Sequence, residues 1–531
     1  DSNVTTANGS VGIGYEALQS KTGGVSVAIG YQAGKAETNP GNLGSVYIGY
    51  KAGQGIVNST VVMIGYMAGA SYSGIGKGEG TTLIGGRAGY QSNDDAINNT
   101  AVGYGALYTN TAGERNTVVG RNAGFEITTG DNNTLLGFYT QGPLTGNRNT
   151  AVGAGAMQDT DAGSTSGGSS DNTFIGYNAG GGTWADAASD YNVAIGNLSM
   201  DDNLNGATGN TALGYFTLSG TITADYNTAI GYSAGRDNNS GGYNVYIGRE
   251  AGMNNRSGSE NVAIGDQSMY NSRGGYSNTL VGKYTGRDMT HAYSNAFFGH
   301  IAGEHVTTGY SNTLIGTGTG EEGSGSAFDT NVYVGSVAGG YQRNGASNVG
   351  IGKGAGQGTA AGDNQGDYNV SLGYYALANI AHGDKNIAVG RTAGQNISTG
   401  TLNVYIGDAA GLSTTTGGSN VAIGTNAYTA GNSGTVVAIG SEAAKTTTLN
   451  DGVWIGANAN KLGTGGGGGT IVGHYAGYVA KGSGIVHVGQ FAGQYMSGSY
   501  NVFVGHDAGL GGTTSAPYGT GINNVGIGTD S

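Results

Sequence analysis

The chain has 531 residues, of which 111 are Gly, 3 are Pro and 10 % are charged, a composition that without periodicity belongs to disordered polymers. A formal charge of −13 with no basic block excludes nucleic acid as the main partner. The lack of cysteine excludes disulfides and thiolate-bound metal, and a mean hydropathy of −0.23 without a long apolar run excludes a transmembrane helix.

In chain order, residues 1–9 (DSNVTTANG) carry neither a basic nor an apolar leader region and read as a cap or joint. A phrase of the form xxIG then recurs through the whole chain: SVAIGYQAG at 26–34, NTAVGYGALYTNTAG at 99–113, NTVVGRNAG at 116–124 and NVAIGTNAYTAG at 420–431. With the closing Gly as position 0, the steps are about 17 residues, as from Gly103 to Gly120. That is about 30 coils in a single continuous array over 1–531. Residues 510–531 form its C-terminal end, which is expected to join a further domain.

Within a unit, positions −3 and −1 are Val, Thr, Ile or Leu with few exceptions, a period of two that marks a β-strand. The expectation is that these two positions face the core. Position −2 is also mostly apolar, as in Tyr47, Met63, Phe174, Tyr246 and Trp454, so the opposite face needs a cover of its own. Position +3 is Ala, Ser or Thr and +4 is mostly Gly, which predicts a tight inside corner. Asn fills −4 in every unit from Asn99 to Asn420. Side chains such as Asn99, Asn116, Asn133, Asn227, Asn244, Asn261 and Asn278 are expected to stack as a structural ladder.

Two recurrent glycines and an apolar period of two rule out a helical unit. The predicted fold is all-β, a parallel β-solenoid. Stacked at about 4.8 Å, its coils make a rod of roughly 140 Å. Three copies side by side or intertwined would cover the −2 face, so a homotrimer is expected.

SVAIGYQAG and NVAIGTNAYTAG resemble the head repeats of trimeric autotransporter adhesins of the YadA type. The resemblance implies a left-handed, trimeric β-roll used for attachment. NTAVGYGALYTNTAG is similar to the repeats of phage tail fibres and related bacterial surface proteins, and NNVGIGTDS resembles the approach to the chaperone domain that often follows them. The function so implied is non-catalytic: an adhesive fibre, extracellular, on a virion tail or a bacterial surface, whose partner is a host-surface glycan or protein receptor. A self-assembling filament or sheath and a tailspike-like polysaccharide depolymerase are the alternatives.

Loops longer than the common eight residues fall at 70–80, 158–171, 181–191, 357–368 and 510–523. Tyr72, Trp184 and Tyr518 lie in them and are the candidate glycan or receptor contacts. Tyr recurs at +1, consecutively at Tyr15, Tyr31, Tyr50 and Tyr66, and reads as a structural ladder with surface hydroxyls. Thr at −3 (Thr82, Thr100, Thr117, Thr134, Thr150) gives an ice-binding pattern, but Val at the same position elsewhere reads as buried core. Glu250 and Asp266 are the best carboxylate pair, expected on opposite faces by alternation. His474 and His506 stand two coils apart, too far for one metal. TTGDNN at 128–133 has oxygen donors for calcium without the Gly-Asp calcium repeat, and no cofactor, metal or membrane insertion is expected.

Overall fold

The computed structural model describes residues 9–531 except 39–42, 58, 73, 76–77, 93–94, 143, 160–165, 185–186, 221, 324–327, 361–363, 433, 448–450, 465–466 and 513–520. The chain packs as two units, Asp1–Gln267 and Ser268–Ser531. Each is an all-β parallel solenoid, and the helical element among the described residues is one 3₁₀ turn, Ser166–Gly168.

Strands occupy −3 to −1 of the repeat, for example Thr117–Val119 and Thr228–Ile230 in the first unit and Val404–Ile406 in the second. Each pairs in parallel with its copy in the next coil, like opposite like: Thr117 faces Thr134, Val118 faces Leu135 and Val119 faces Leu136. Insertions leave this register intact, since Thr150 still faces Thr173 across a long loop.

Position 0 admits nothing but glycine. Gly120 has φ +142°, and a β-carbon on it would sit 2.0 Å from the carbonyl oxygen of Gly137 in the next coil. The conformation and the close backbone approach both demand hydrogen there.

The strand faces are the reverse of the expectation. Position −2 is the inner one: Ala101, Val118, Leu135, Ala151 and Tyr246 are fully buried. Positions −3 and −1 look outward, with Leu136 47 % and Ile175 37 % exposed. The cause is the bend at position 0, which turns the chain back over the −2 side. The small residue at +3 (Ala123, Ala156, Ala234) and the residue at +7 (Ile127, Asn238, Met289, Val306) are then buried on that side. One chain therefore closes its own core, and −2 needs no outside cover.

Inside the slot, −2 and +4 trade volume. Ala194 and Ala212 are followed by buried Met200 and Leu218, whereas Phe174 and Tyr246 are followed by Gly180 and Gly252. Dense packing favours this reciprocity, since two large side chains in one coil would collide; where both are small, as at Ala229 and Gly235, Leu218 and Tyr246 of the adjacent coils fill the space. The long polar residues of the +7 column are paired: the buried Lys21 ammonium donates to Glu37 at 2.5 Å, and Asn110 Nδ2 donates to Gly113 O at 2.9 Å.

The −4 asparagines form a hydrogen-bonded column in each unit. In the first, Asn244 N and Nδ2 both donate to Asn227 Oδ1 at 3.0 Å, and Asn244 Nδ2 also donates to Gly258 O at 2.8 Å. Asn261 N donates in turn to Asn244 Oδ1 at 2.9 Å, and Asn116 and Asn133 repeat the link to Asn99 and Asn116. In the second unit Asn295 N donates to Asn278 Oδ1 at 3.0 Å. Each amide thus joins consecutive strands and the turn before the next one, which satisfies buried polar groups in the interior.

Candidate functional site

Tyr72 is fully buried, and its hydroxyl donates to Ala96 O at 2.9 Å. Burial pushes that hydroxyl up to about 12. It stands seven residues after Gly65, in the column that holds Ile56 and Ile127, so counting from the glycine places it inside. Trp184 is also buried, packed edge-on against Phe174 at 5.7 Å, and its Nε1 donates to Gly180 O at 3.1 Å. Both rings fill the core beneath their own loops and present no face to a ligand. Tyr518 lies outside the described residues.

The exposed aromatics are elsewhere. Tyr15, Tyr31, Tyr50 and Tyr66 stand on the surface and stack with centroids 5.2, 5.2 and 5.3 Å apart. Further columns run through Tyr90, Tyr108 and Phe125 at 5.2 and 4.6 Å, and in the second unit through Tyr276, Tyr293 and Tyr310 at 4.9 and 5.1 Å. Their near-constant sequence spacing is visible in the chain, and stacking follows from it because each coil advances by one strand spacing.

The outward strand face is the other continuous surface. Thr117 and Thr134, read as core from sequence, are exposed on it beside the −1 residues Leu136, Ile175, Ile195 and Leu213. In the second unit Phe298, Ile315 and Ile406 hold the −1 position and are exposed on its own outward face.

Charged candidates are bound up in pairs. Glu250 and Asp266 do not point to opposite faces: Arg249 reaches both, at 3.0 and 2.8 Å. The guanidinium between them neutralises what a general acid and base would need to keep free. Phe491 intervenes between His474 and His506, 6.0 Å from each ring, and His506 Nδ1 contacts Asp507 at 2.9 Å. Asp131, in the 128–133 loop, accepts from Glu114 N at 2.7 Å. Asp190, Asp225 and Asp367 cap the coils before them in the same way, so loop carboxylates serve the backbone. Among the described residues no group of three or more His, Asp or Glu is placed to hold a metal ion, and no helix is long and apolar enough to cross a membrane.

These features define a repeat protein of the parallel β-solenoid class, with chemistry laid out in surface columns on a self-contained core. No protein-family model matches the chain, and no curated protein matches it.

Proposed function

We propose that the chain is a structural and adhesive fibre protein, a homotrimer that acts outside the cell, on a virion tail fibre or a bacterial surface, by attaching to a host-surface glycan or protein receptor. The observation that carries this reading is the outward −1 column. Side chains such as Leu136, Leu213 and Ile315 stand more than 40 % exposed in it, and the −1 residues of neighbouring coils, such as Val119, Val152 and Ile230, are apolar and half-buried. A fully buried residue of this kind gains about 1.5–3 kcal/mol, and a monomer rarely leaves so long an apolar strip in water. A second and third copy fit it best, because an identical strip has the same period and the same lack of charge.

The resemblance of SVAIGYQAG and NTAVGYGALYTNTAG to adhesin heads and tail-fibre repeats supports the same reading. Rigid coils with aromatic columns on their edges suit multivalent contact with a repetitive surface.

Sedimentation velocity combined with binding of labelled protein to bacterial cells tests the proposal. A species of about three times 52.7 kDa that labels cells and loses the label to soluble surface polysaccharide is the expected result. A monomer that labels no cells overturns it. Concentration-dependent growth beyond a trimer would point to a filament, and release of reducing ends from the polysaccharide to a depolymerase.

A further inference from the structure

The aromatic edge of the first unit is interrupted at several coils, among them those of Gly86, Arg121, Ala154 and Asn197, and the gap at Ala154 is built like a ligand site. Phe138 and Tyr177 hold position +1 in the coils on either side, 50 % and 55 % exposed, while the coil between them carries Ala154. A notch of about 250 Å³ opens there, with Tyr139, Gly155, Gln158 and Asn178 completing its lining. The gap at Gly86, between Tyr66 and Tyr104, behaves differently: the Tyr104 ring leans over it, with Cδ2 only 3.2 Å from where a β-carbon on Gly86 would lie.

The walls are rigid and their faces are set. Gly155 N donates to Phe138 O and Asn178 N donates to Ala154 O, both at 3.0 Å, which locks the three coils together. Arg121 in the preceding coil lies over the Phe138 ring, 5.8 Å from its centroid, so the other face of that ring fronts the notch. Tyr139 stands edge-on to Phe138 at 4.6 Å and props it upright.

Size and chemistry then select the ligand. Two strand spacings separate the walls by about 10 Å. Carbon contacts of about 3.8 Å on each side leave roughly 2 Å, the thickness of one puckered ring. The volume lies below the range of about 300–1,000 Å³ typical of drug-sized ligands, so it suits a single monosaccharide unit. Every lining residue is uncharged. The side-chain amides of Gln158 and Asn178 make no hydrogen bond among the described residues, and each offers a donor and an acceptor to ring hydroxyls.

We propose that this notch binds one neutral pyranose unit of a surface polysaccharide, sandwiched between Phe138 and Tyr177 and held by the amides of Gln158 and Asn178. The assignment rests on the attachment reading above and gives it an address.

The test is saturation-transfer NMR and calorimetry of the whole chain with neutral cello-, malto-, galacto- and chito-oligosaccharides. Ala154→Tyr fills the notch by continuing a column that already stacks at Tyr31 and Tyr50, so the variant should fold. The expected result is binding of at least one series by the native chain, a loss of tenfold or more in Ala154→Tyr and in Phe138→Ala, and no change in Tyr31→Ala. Native affinity in Ala154→Tyr, or no binding by any series, overturns the site. Cell labelling by both proteins keeps the readings apart: if Ala154→Tyr labels cells as well as the native chain, attachment stands and the notch falls. Notch-dependent oligosaccharide binding by a chain that labels no cells would leave the site standing and remove the attachment reading.

Discussion

The ring of Tyr246 occupies the space that a side chain on Gly252 would need: a β-carbon there would fall 2.2 Å from both Cδ1 and Cε1. Gly252 also has φ +60°, so the residue is constrained by conformation and by packing. Gly252→Ala is expected to lose about 2–4 kcal/mol, from left-handed strain and overpacking together. Tyr246→Ala should lose about 3–5 kcal/mol through the cavity it leaves. The pair Tyr246→Ala with Gly252→Met rebuilds the arrangement of Ala194 and Met200, and it should be more stable than the sum of its parts by at least about 1 kcal/mol. Denaturant melts of the four proteins measure the coupling, and strict additivity would refute the shared slot.

That reciprocity is written in the amino-acid sequence. Ala194 with Met200 and Phe174 with Gly180 can be paired by eye once the units are aligned. The period, the strand, the glycine bend and the Asn column were legible because each residue's main neighbour is its own copy one coil away. The inner face was misjudged because the β-branched −1 and −3 positions look like a conserved core. Their sameness has another cause: on an open parallel face each side chain needs only to match the identical one above it. Variable −2 residues are the inner ones, since a core fills volume with whatever combination fits. Loop composition points Tyr72 and Trp184 to the surface, although the count from Gly65 places Tyr72 in the +7 column. The notch at Ala154 shows in the spacing as a small residue at +1, but its walls depend on the Arg121 and Tyr139 contacts, which a spacing rule does not report.

Asn244 uses its donors and its acceptor at once, between Asn227, Gly258 and Asn261. Asn244→Leu should lose about 2–4 kcal/mol, because backbone groups stay buried without partners. Asn244→Asp replaces a donor by an acceptor that faces Asn227 Oδ1 and Gly258 O. Burial and these oxygens raise the carboxyl above its ordinary value, so its penalty is largest at neutral pH and is relieved as pH falls through that raised value. Melts at pH 7 and pH 4.5, each read against the native chain, check this. A penalty that grew on acidification would contradict the ladder geometry.

His487 sits at a −2 position, buried, with the Phe503 ring 5.4 Å away and no hydrogen-bond partner for either ring nitrogen among the described residues. Burial pushes the imidazole down to about 4. With a folded value below the unfolded one of about 6.5, its neutral form contributes stability that is complete above pH 6.5 and lost as pH falls toward 4. The loss approaches about 3 kcal/mol below pH 4. His487→Leu should remove this part of the acid dependence while leaving that of the carboxylates. Parallel stability curves for the two proteins between pH 6.5 and 4 would show that His487 is not held neutral.

The two strand faces should separate cleanly under mutation. Replacing the −1 residues Ile195, Leu213 and Ile230 by Thr leaves a strand former on an outward face. The variant is expected to keep its circular dichroism and to lose less than about 1 kcal/mol as a single chain. In sedimentation velocity it should weaken association, because three consecutive members of the apolar strip that would meet another copy are gone. Placing Asp at the inner positions of the same strands, Ala194, Ala212 and Ala229, buries carboxylates without partners and should unfold the first unit outright. If the Thr variant instead unfolds while the Asp variant survives, the core lies on the other face. If the Thr variant folds and sediments like the native chain, copies do not meet at these −1 positions.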